Sequence, residues 1–353
     1  MPANIDILLR TLVVKKASDL HLQAGSPPIF RVNGELHFSD LGILSSKDIE
    51  RYVYSIMNEE QKEAFDKTHR LDLSYSVPGT ARFRANIYKQ RGCVGAVMRC
   101  IPFEIPTIEE LGLPPIVKEL AMKPNGLVLV TGPTGSGKST TLAAIIGHIN
   151  SQIKGHVITI EDPIEFTHQN KSCEINQREV GADTDSFAAA LRDCLREDPD
   201  VILVGEMRDL DTISNAITAA ETGHLVFATL HTNDAAQTVD RVIDVFPPHQ
   251  QPQIRIQLAA TLRGVIAQTL LRKKDGAGRI AAFEIMIANS GIKALIKDGK
   301  TGQIVNAIQT GRQDGMQSFE QALDALCKKG VITIEEAMAK VNDPKSFERT
   351  LKG

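Results

Sequence analysis

Residues 127–150, LVLVTGPTGSGKSTTLAAIIGHIN, constrain this chain more than any other stretch. Leu127 to Val130 is a short valine-rich run, the composition of a strand buried on both faces. It leads into Gly132-Pro133-Thr134-Gly135-Ser136-Gly137-Lys138-Ser139, the G-x-x-x-x-G-K-[ST] spacing of a phosphate-binding loop. Glycines let the backbone curl so that successive N–H groups meet one anion, and a helix starting near Lys138 adds the positive end of its dipole. Lys138 is then placed to reach the β- and γ-phosphates, with the Ser139 hydroxyl on Mg²⁺ and Thr140 beside it. The stretch predicts a site for ATP with Mg²⁺.

From Gly126 onward apolar strands at Leu127 to Val130, Val157 to Ile160, Val201 to Val204 and Leu225 to Ala228 alternate with helical segments around 142–149, 187–196 and 212–221. This is an α/β pattern with a mostly parallel sheet, whose ligands sit at the carboxyl ends of the strands. Beyond Phe246-Pro-Pro a helix from Ile254 to Ile266, a strand from Ala281 to Ile287 and three or four short helices between Ser290 and Leu351 are expected.

The first hundred residues read differently. A helix face at Ile5, Leu8, Leu9, Leu12 and Val13 precedes short strands at Leu20 to Gln23, Ile29 to Val32 and Leu36 to Phe38, with a hairpin turn at Asn33-Gly34. Helices over 45–58, capped by Ser46, and 59–68 precede strands at 71–77, 81–89 and 94–101. The expectation is a small α+β domain over 1–100, a proline-marked linker over 101–115, an ATPase domain over 116–288 and a helical extension over 289–353.

A net charge of −3 argues against broad attraction to nucleic acid or anionic membrane. The five cysteines contain no C-x-x-C pair, and their scatter fits reduced thiols in a cytoplasmic protein. No apolar run approaches the length of a membrane span. Work at a membrane is therefore expected to pass through a partner, with no direct insertion.

Strand ends supply the remaining candidates. Asp200-Val-Ile-Leu-Val-Gly205-Glu206 ends a strand in a carboxylate suited to ordering a Mg²⁺ water. Val157-Ile-Thr-Ile160 is followed by Glu161, Asp162 and Glu165, one of which would polarise the attacking water; the sequence does not choose among them. His224 and His231 flank the strand between them and are expected near one sheet edge, sensing the γ-phosphate or coupling subunits. Arg82, Arg84, Arg91 and Arg99 cluster on two neighbouring strands; guanidinium groups stabilise charge in phosphoryl transfer, and a solvated strand face explains the cluster equally well.

These motifs, with Ala17-Ser-Asp-Leu-His-Leu22, Asn176-Gln-Arg-Glu-Val-Gly181 and Ala228-Thr-Leu-His-Thr-Asn233, make the chain resemble the secretion ATPase superfamily over nearly its whole length. Within it, the chain looks most like the type IV pilus retraction ATPases, which drive twitching motility. The resemblance implies a homohexameric ring with nucleotide between a PAS-like N-terminal domain and a RecA-like P-loop domain. It implies that Glu165 is the catalytic glutamate, Glu206 the Walker B glutamate, His224 and His231 the histidine box, and Arg84 and Arg99 arginines that reach the phosphates. Glu161 and His224 join the phosphate loop as expected nucleotide contacts. Implied partners are an inner-membrane pilus platform protein and a paralogous motor ATPase, at the inner face of the cell membrane. Extension and secretion motors of the superfamily usually carry a longer N-terminal region and C-x-x-C pairs, which this chain lacks. Retraction motors usually have A-I-R-N-L-I-R-E near the C-terminus; here Gly291-Ile-Lys-Ala-Leu-Ile-Lys-Asp298 replaces both arginines by lysine, which keeps charge but loses the bidentate fork. The alternative readings are an accessory paralogue of a principal motor or a weakly active ring subunit, or a pilus extension or type II secretion motor.

Overall fold

A computed structural model describes residues 4–32, 34–101, 105–276, 278–341 and 347. The chain divides into two compact units, Met1–Glu104 and Ile105–Gly353.

The first unit opens with helix α1 (Ile5–Val14), whose side chains Ile5, Leu8, Leu9 and Leu12 are buried and whose first turn is capped by Asn4. Strands β1 (Asp19–Leu22), β2 (Ile29–Val32) and β3 (Glu35–Phe38) follow. Then come α2 (Ser46–Tyr54), α3 (Glu59–Thr68), β4 (Arg70–Val77), β5 (Ala81–Gln90) and β6 (Cys93–Ile101). All six strands pair antiparallel in the order β3-β2-β1-β6-β5-β4. Along β5, Ala81, Phe83, Ala85 and Ile87 are buried while Arg84 and Asn86 face out, the period-two alternation of a sheet with one wet face. Two local expectations are corrected. The cap of α2 is Ser45, which accepts from the Asp48 N–H while Asp48 bonds back to the Ser45 N–H; Ser46 is already helical and its hydroxyl donates to Glu50. The same helix stops at Tyr54 rather than Asn58, because Asn58 is extended and caps α3. Asn33 of the expected hairpin turn lies outside the described residues.

The second unit contains α4 (Ile116–Ala121), β7 (Gly126–Thr131), α5 (Lys138–Gln152), β8 (His156–Glu161) and β9 (Glu174–Glu179). It continues with α6 (Phe187–Cys194), β10 (Val201–Val204), α7 (Leu210–Glu221), β11 (Leu225–Leu230), α8 (Ala235–Asp244) and α9 (Gln251–Thr261). Strands β12 (Leu262–Arg272) and β13 (Arg279–Ile287) precede α10 (Ser290–Lys297), α11 (Ile304–Thr310), α12 (Phe319–Lys328) and α13 (Ile334–Met338). The sheet order is β13-β12-β7-β11-β10-β8-β9, parallel throughout except for the edge strand β13. Every residue of β7, β10 and β11 is buried, because helices cover both faces: Leu127 and Leu129 pack on one side, Val128 and Val130 on the other.

The expected helix over 254–266 is half strand. Helix α9 ends at Thr261, and Leu262 turns extended to begin β12, an eleven-residue strand between β7 and β13. The run Leu262-Arg-Gly-Val-Ile-Ala is apolar enough for either state, and pairing on both sides decides it. Strand β9, Glu-Ile-Asn-Gln-Arg-Glu, was not expected; it is polar because it lies at the sheet edge and pairs only with β8. Of the expected linker, residues 102–104 lie outside the described residues, while Ile108 and Leu113 are buried in the second unit's core.

Candidate nucleotide site

The loop between β7 and α5 sits at the carboxyl edge of the sheet and lines a cavity of about 340 Å³. Gly132 has φ +145°, and a Cβ there would lie 2.3 Å from the Gln268 carbonyl and 2.6 Å from Ser136 Oγ. Only glycine fits, so the cradle is shaped by backbone and β12 together. Gln268 of β12 reinforces it, donating from Nε2 to the Ser136 carbonyl at 2.7 Å. The α5 N-terminus has no side-chain cap, which leaves its first N–H groups for a ligand. Thr134, Gly135, Gly137, Lys138, Ser139 and Thr140 all line the cavity, while Ser136 is buried behind it and Pro133 faces a neighbouring hollow.

Lys138 Nζ donates to the carbonyls of Gly132 (2.9 Å) and Pro133 (3.2 Å) and lies 3.3 Å from His231 Nδ1. Burial pushes its ammonium below the ordinary lysine range, against the opposing pull of Glu206 and Glu165. His231, just after β11, sets Nε2 3.0 Å from Glu206 Oε1. With Lys138 as donor, the imidazole accepts at Nδ1 and donates from Nε2–H to the carboxylate. Lys138, His231 and Glu206 thus form one chain joining the start of α5 to the ends of β11 and β10. Glu206 also takes the Arg208 guanidinium. Its position depends on Gly205, where a Cβ would come within 3.1 Å of the Ile160 carbonyl and 3.2 Å of Glu161 Cα.

The acidic turn after β8 separates its carboxylates by environment. Glu161 Oε1 accepts from Thr159 Oγ1 (2.6 Å) and Gln177 Nε2 (3.1 Å), and the nearby Glu165 backbone N–H favours its charged form. Burial pushes the Glu161 carboxyl up despite these bonds. The buried Glu179 carboxylate holds the turn through the Ile164 N–H. Glu165 is exposed and lines the cavity.

Two expectations meet different geometry. His224 precedes β11 and His231 follows it, so the strand places them about 23 Å apart at opposite sheet edges. They do not share an edge; His224 Nδ1 contacts the Ala219 carbonyl (3.0 Å) and lies away from the phosphate loop of its own chain. Arg84 and Arg99 belong to the first unit, where they are cross-strand neighbours on the wet face. Arg99 donates to the buried Asp19 carboxylate at 2.8 Å, Arg31 approaches that carboxylate at 3.9 Å, and Arg84 lies 3.9 Å from Asp72. Burial raises the Asp19 carboxyl, but hydrogen bonds from Ser18 and Arg99 outweigh it and hold the group below its ordinary value.

Sequence reasoning missed Arg208, Gln177, Gln268 and Arg279, the last at the cavity wall on β13. Gln268 and Arg279 were hidden by the misread β12–β13 hairpin; Gln177 stands inside the Asn176–Gly181 motif and Arg208 two residues beyond Glu206.

The family model for type II/IV secretion system proteins matches residues 2–339. The chain belongs to this family. It is 51% identical over 344 residues to the type IV pilus retraction ATPase PilT of Pseudomonas aeruginosa, covering 98% of this chain and all of that one. The type IV pilus ATPase PilU of the same organism is 42% identical over 98% of this chain and 90% of its own length. Among solved structures, the pilus retraction motor PilT with bound ADP superposes with a TM-score of 0.91 at 48% identity, covering 99% of this chain and 100% of that one. This secretion-family chain is accordingly an ATPase, and its α/β nucleotide unit, antiparallel N-terminal sheet and C-terminal helices follow the family fold. The glycine cradle, the free α5 N-terminus and Lys138 fit a nucleotide triphosphate. Ser139 and Glu206 fit Mg²⁺, an ion usually held by one or two protein groups plus phosphates; among the described residues no cluster of three metal-ligating side chains exists.

Proposed function

We propose that this chain is the ATPase subunit of a homohexameric motor that retracts type IV pili. The observation that carries the reading is the Lys138–His231–Glu206 chain beside Glu165, in a chain that matches PilT end to end. Lys138 and the loop amides hold the β- and γ-phosphates. Ser139, with Glu206 acting through water, would hold Mg²⁺, which when bound would supply positive charge against the phosphate oxygens. Glu165 orients water for in-line attack on the γ-phosphorus; the bond to the ADP oxygen breaks and the water proton passes to the carboxylate. Glu161 is assigned the turn's internal hydrogen bonds, since its Oε1 is engaged by both Thr159 and Gln177. His231 reports the γ-phosphate by exchanging its Lys138 contact. Arg84 and Arg99 supply phosphate contacts from the first unit, and His224 acts between protomers. The finer partition, a PAS-like domain over 1–100, a linker over 101–115, a RecA-like domain over 116–288 and an extension over 289–353, is part of this reading.

The partner is a pilus platform protein of the inner membrane. From the likeness to PilT we place the motor in the cytoplasm, held at the membrane by that partner; no helix among the described residues is long and apolar enough to cross a membrane. A second reading, an accessory motor acting beside a paralogue, is favoured by α10, which carries Lys293 and Lys297 where retraction motors usually have arginines. Glu165→Gln, compared with Glu161→Gln, tests the site. Glu165→Gln is expected to bind ATP near-normally and lose turnover about a hundredfold or more. Parental turnover in Glu165→Gln with loss in Glu161→Gln would reverse the assignment.

A further inference from the structure

Away from the phosphates, one buried carboxylate lies where two helices begin. Glu284 on β13 is 7% exposed, and its Oε1 accepts the N–H of Ala235, the first residue of α8, at 2.8 Å. The backbone N–H of Phe319, the first residue of α12, lies close enough to the carboxylate to favour its charged form. Each helix has ten residues and its own cap, Asp234 for α8 and Ser318 for α12, so Glu284 satisfies donors that the caps leave over. It also sits at the positive ends of both helix dipoles.

The α8 end continues directly into the catalytic loop. Only Thr232, Asn233 and Asp234 separate Ala235 from His231. Thr238 in the first turns of α8 donates to the Asp234 carbonyl (2.6 Å), meets the Thr232 hydroxyl at 2.7 Å and lies 3.4 Å from Thr131 Oγ1, at the end of the strand that enters the phosphate loop. The first turn of α8 is thereby tied to β7, to the His231 loop and, through Glu284, to β13 and α12.

We propose that Glu284 is a positioning residue for ATP hydrolysis: its carboxylate holds the first turns of α8 and α12 to β13 and so fixes the loop that presents His231. The inference rests on His231 acting at the γ-phosphate. The charged groups around Glu284 are Asp234 on α8, Glu320 on α12 and Lys340 after α13, which with Glu284 line a hollow of about 300 Å³. Burial, with Asp234 and Glu320 adding to it, pushes the Glu284 carboxyl up to about 7. The charged form, which accepts the Ala235 N–H, is therefore gained as pH rises through neutrality.

The test uses the full chain: kcat and KM for ATP between pH 6 and 9 for the parent, Glu284→Gln, Glu284→Ala and His231→Ala. Glutamine keeps one acceptor but offers an amide N–H to the other helix, so one tie is lost without a cavity. At pH 8, Glu284→Gln is expected to lower kcat about tenfold, a barrier change of about 1.4 kcal/mol, with KM within about twofold of the parent. The parental rise in kcat through pH about 7 should be absent in the variant. A Glu284→Gln protein with parental kcat and pH profile overturns the inference, as does a kcat loss matched by an equal rise in KM. If Glu284→Ala does not fold, the glutamine variant decides. If His231→Ala turns over at the parental rate, the site reading falls and this inference with it; if only the Glu284 variants do, this inference falls alone.

Discussion

Replacing Glu284 by glutamine should make folding of the second unit less sensitive to pH, by an amount that follows from burial. The side chain is 7% exposed and its carboxyl rises from an ordinary 4.5 to about 7. A raised carboxyl pKa in the folded state means that its contribution is fully present below 4.5 and is lost as pH rises through 7. Carried to completion, that titration corresponds to about 3.4 kcal/mol. Between pH 5.5 and 8.5 the linkage integral leaves about 2 kcal/mol of that loss. Urea unfolding followed by far-UV circular dichroism at both pH values measures it. All four tyrosines, Tyr52, Tyr54, Tyr75 and Tyr88, lie in the first unit and the chain has no tryptophan, so tyrosine fluorescence marks that unit separately. The stability of Glu284→Gln relative to the parent should increase by about 2 kcal/mol from pH 5.5 to 8.5. Parallel pH curves for the two proteins would refute the reasoning, because the carboxylate would then be solvated like any surface glutamate.

Gly205→Ala places a methyl 3.1 Å from the Ile160 carbonyl and 3.2 Å from Glu161 Cα, so β8 and β10 must part by a few tenths of an ångström. Misplaced Glu206 and Glu161 should lower kcat about a hundredfold in steady-state ATPase assays, and unchanged turnover would show that this contact does not set their position. Asp19→Asn removes the charge that holds Arg99 and Arg31, and should destabilise the first unit by about 2 kcal/mol at pH 7 in tyrosine-monitored unfolding. Because the Asp19 carboxyl lies below its ordinary 3.8, that stabilisation is present above 3.8 and fades as pH falls through the lower folded value; a difference undiminished in acid would assign it to packing.

What could be read from the sequence was what is encoded locally. The phosphate loop needs a strand, glycines at fixed offsets and a helix start within one short stretch, and all three are there. The alternation along β5 is equally local. Strand β12 is not: Leu262-Arg-Gly-Val-Ile-Ala becomes a strand because β7 and β13 lie on either side, and Gly264 admits the Leu120 side chain and the Met286 carbonyl at about 3.0 Å from where its Cβ would be. Strand β9 lacks the apolar signature because a sheet edge does not demand one. The histidine error was one of pitch, since a six-residue strand between His224 and His231 sends them to opposite edges. The turn after β8 shows what tertiary contact adds: Glu161 and Glu165 look equivalent in sequence, but Thr159 and Gln177 engage one and leave the other facing the cavity. Glu284 carried no local signal, because the N–H it accepts comes from Ala235, 49 positions earlier, and the other backbone N–H beside it from Phe319, 35 positions later.

The most direct test of the motor reading is ATP turnover of the purified chain and of Lys138→Ala, with molar mass measured by light scattering on the same samples. The account predicts turnover that requires Lys138 and tracks a hexameric species. A monomer that hydrolyses ATP at full rate, or a hexamer whose turnover survives Lys138→Ala, would contradict it.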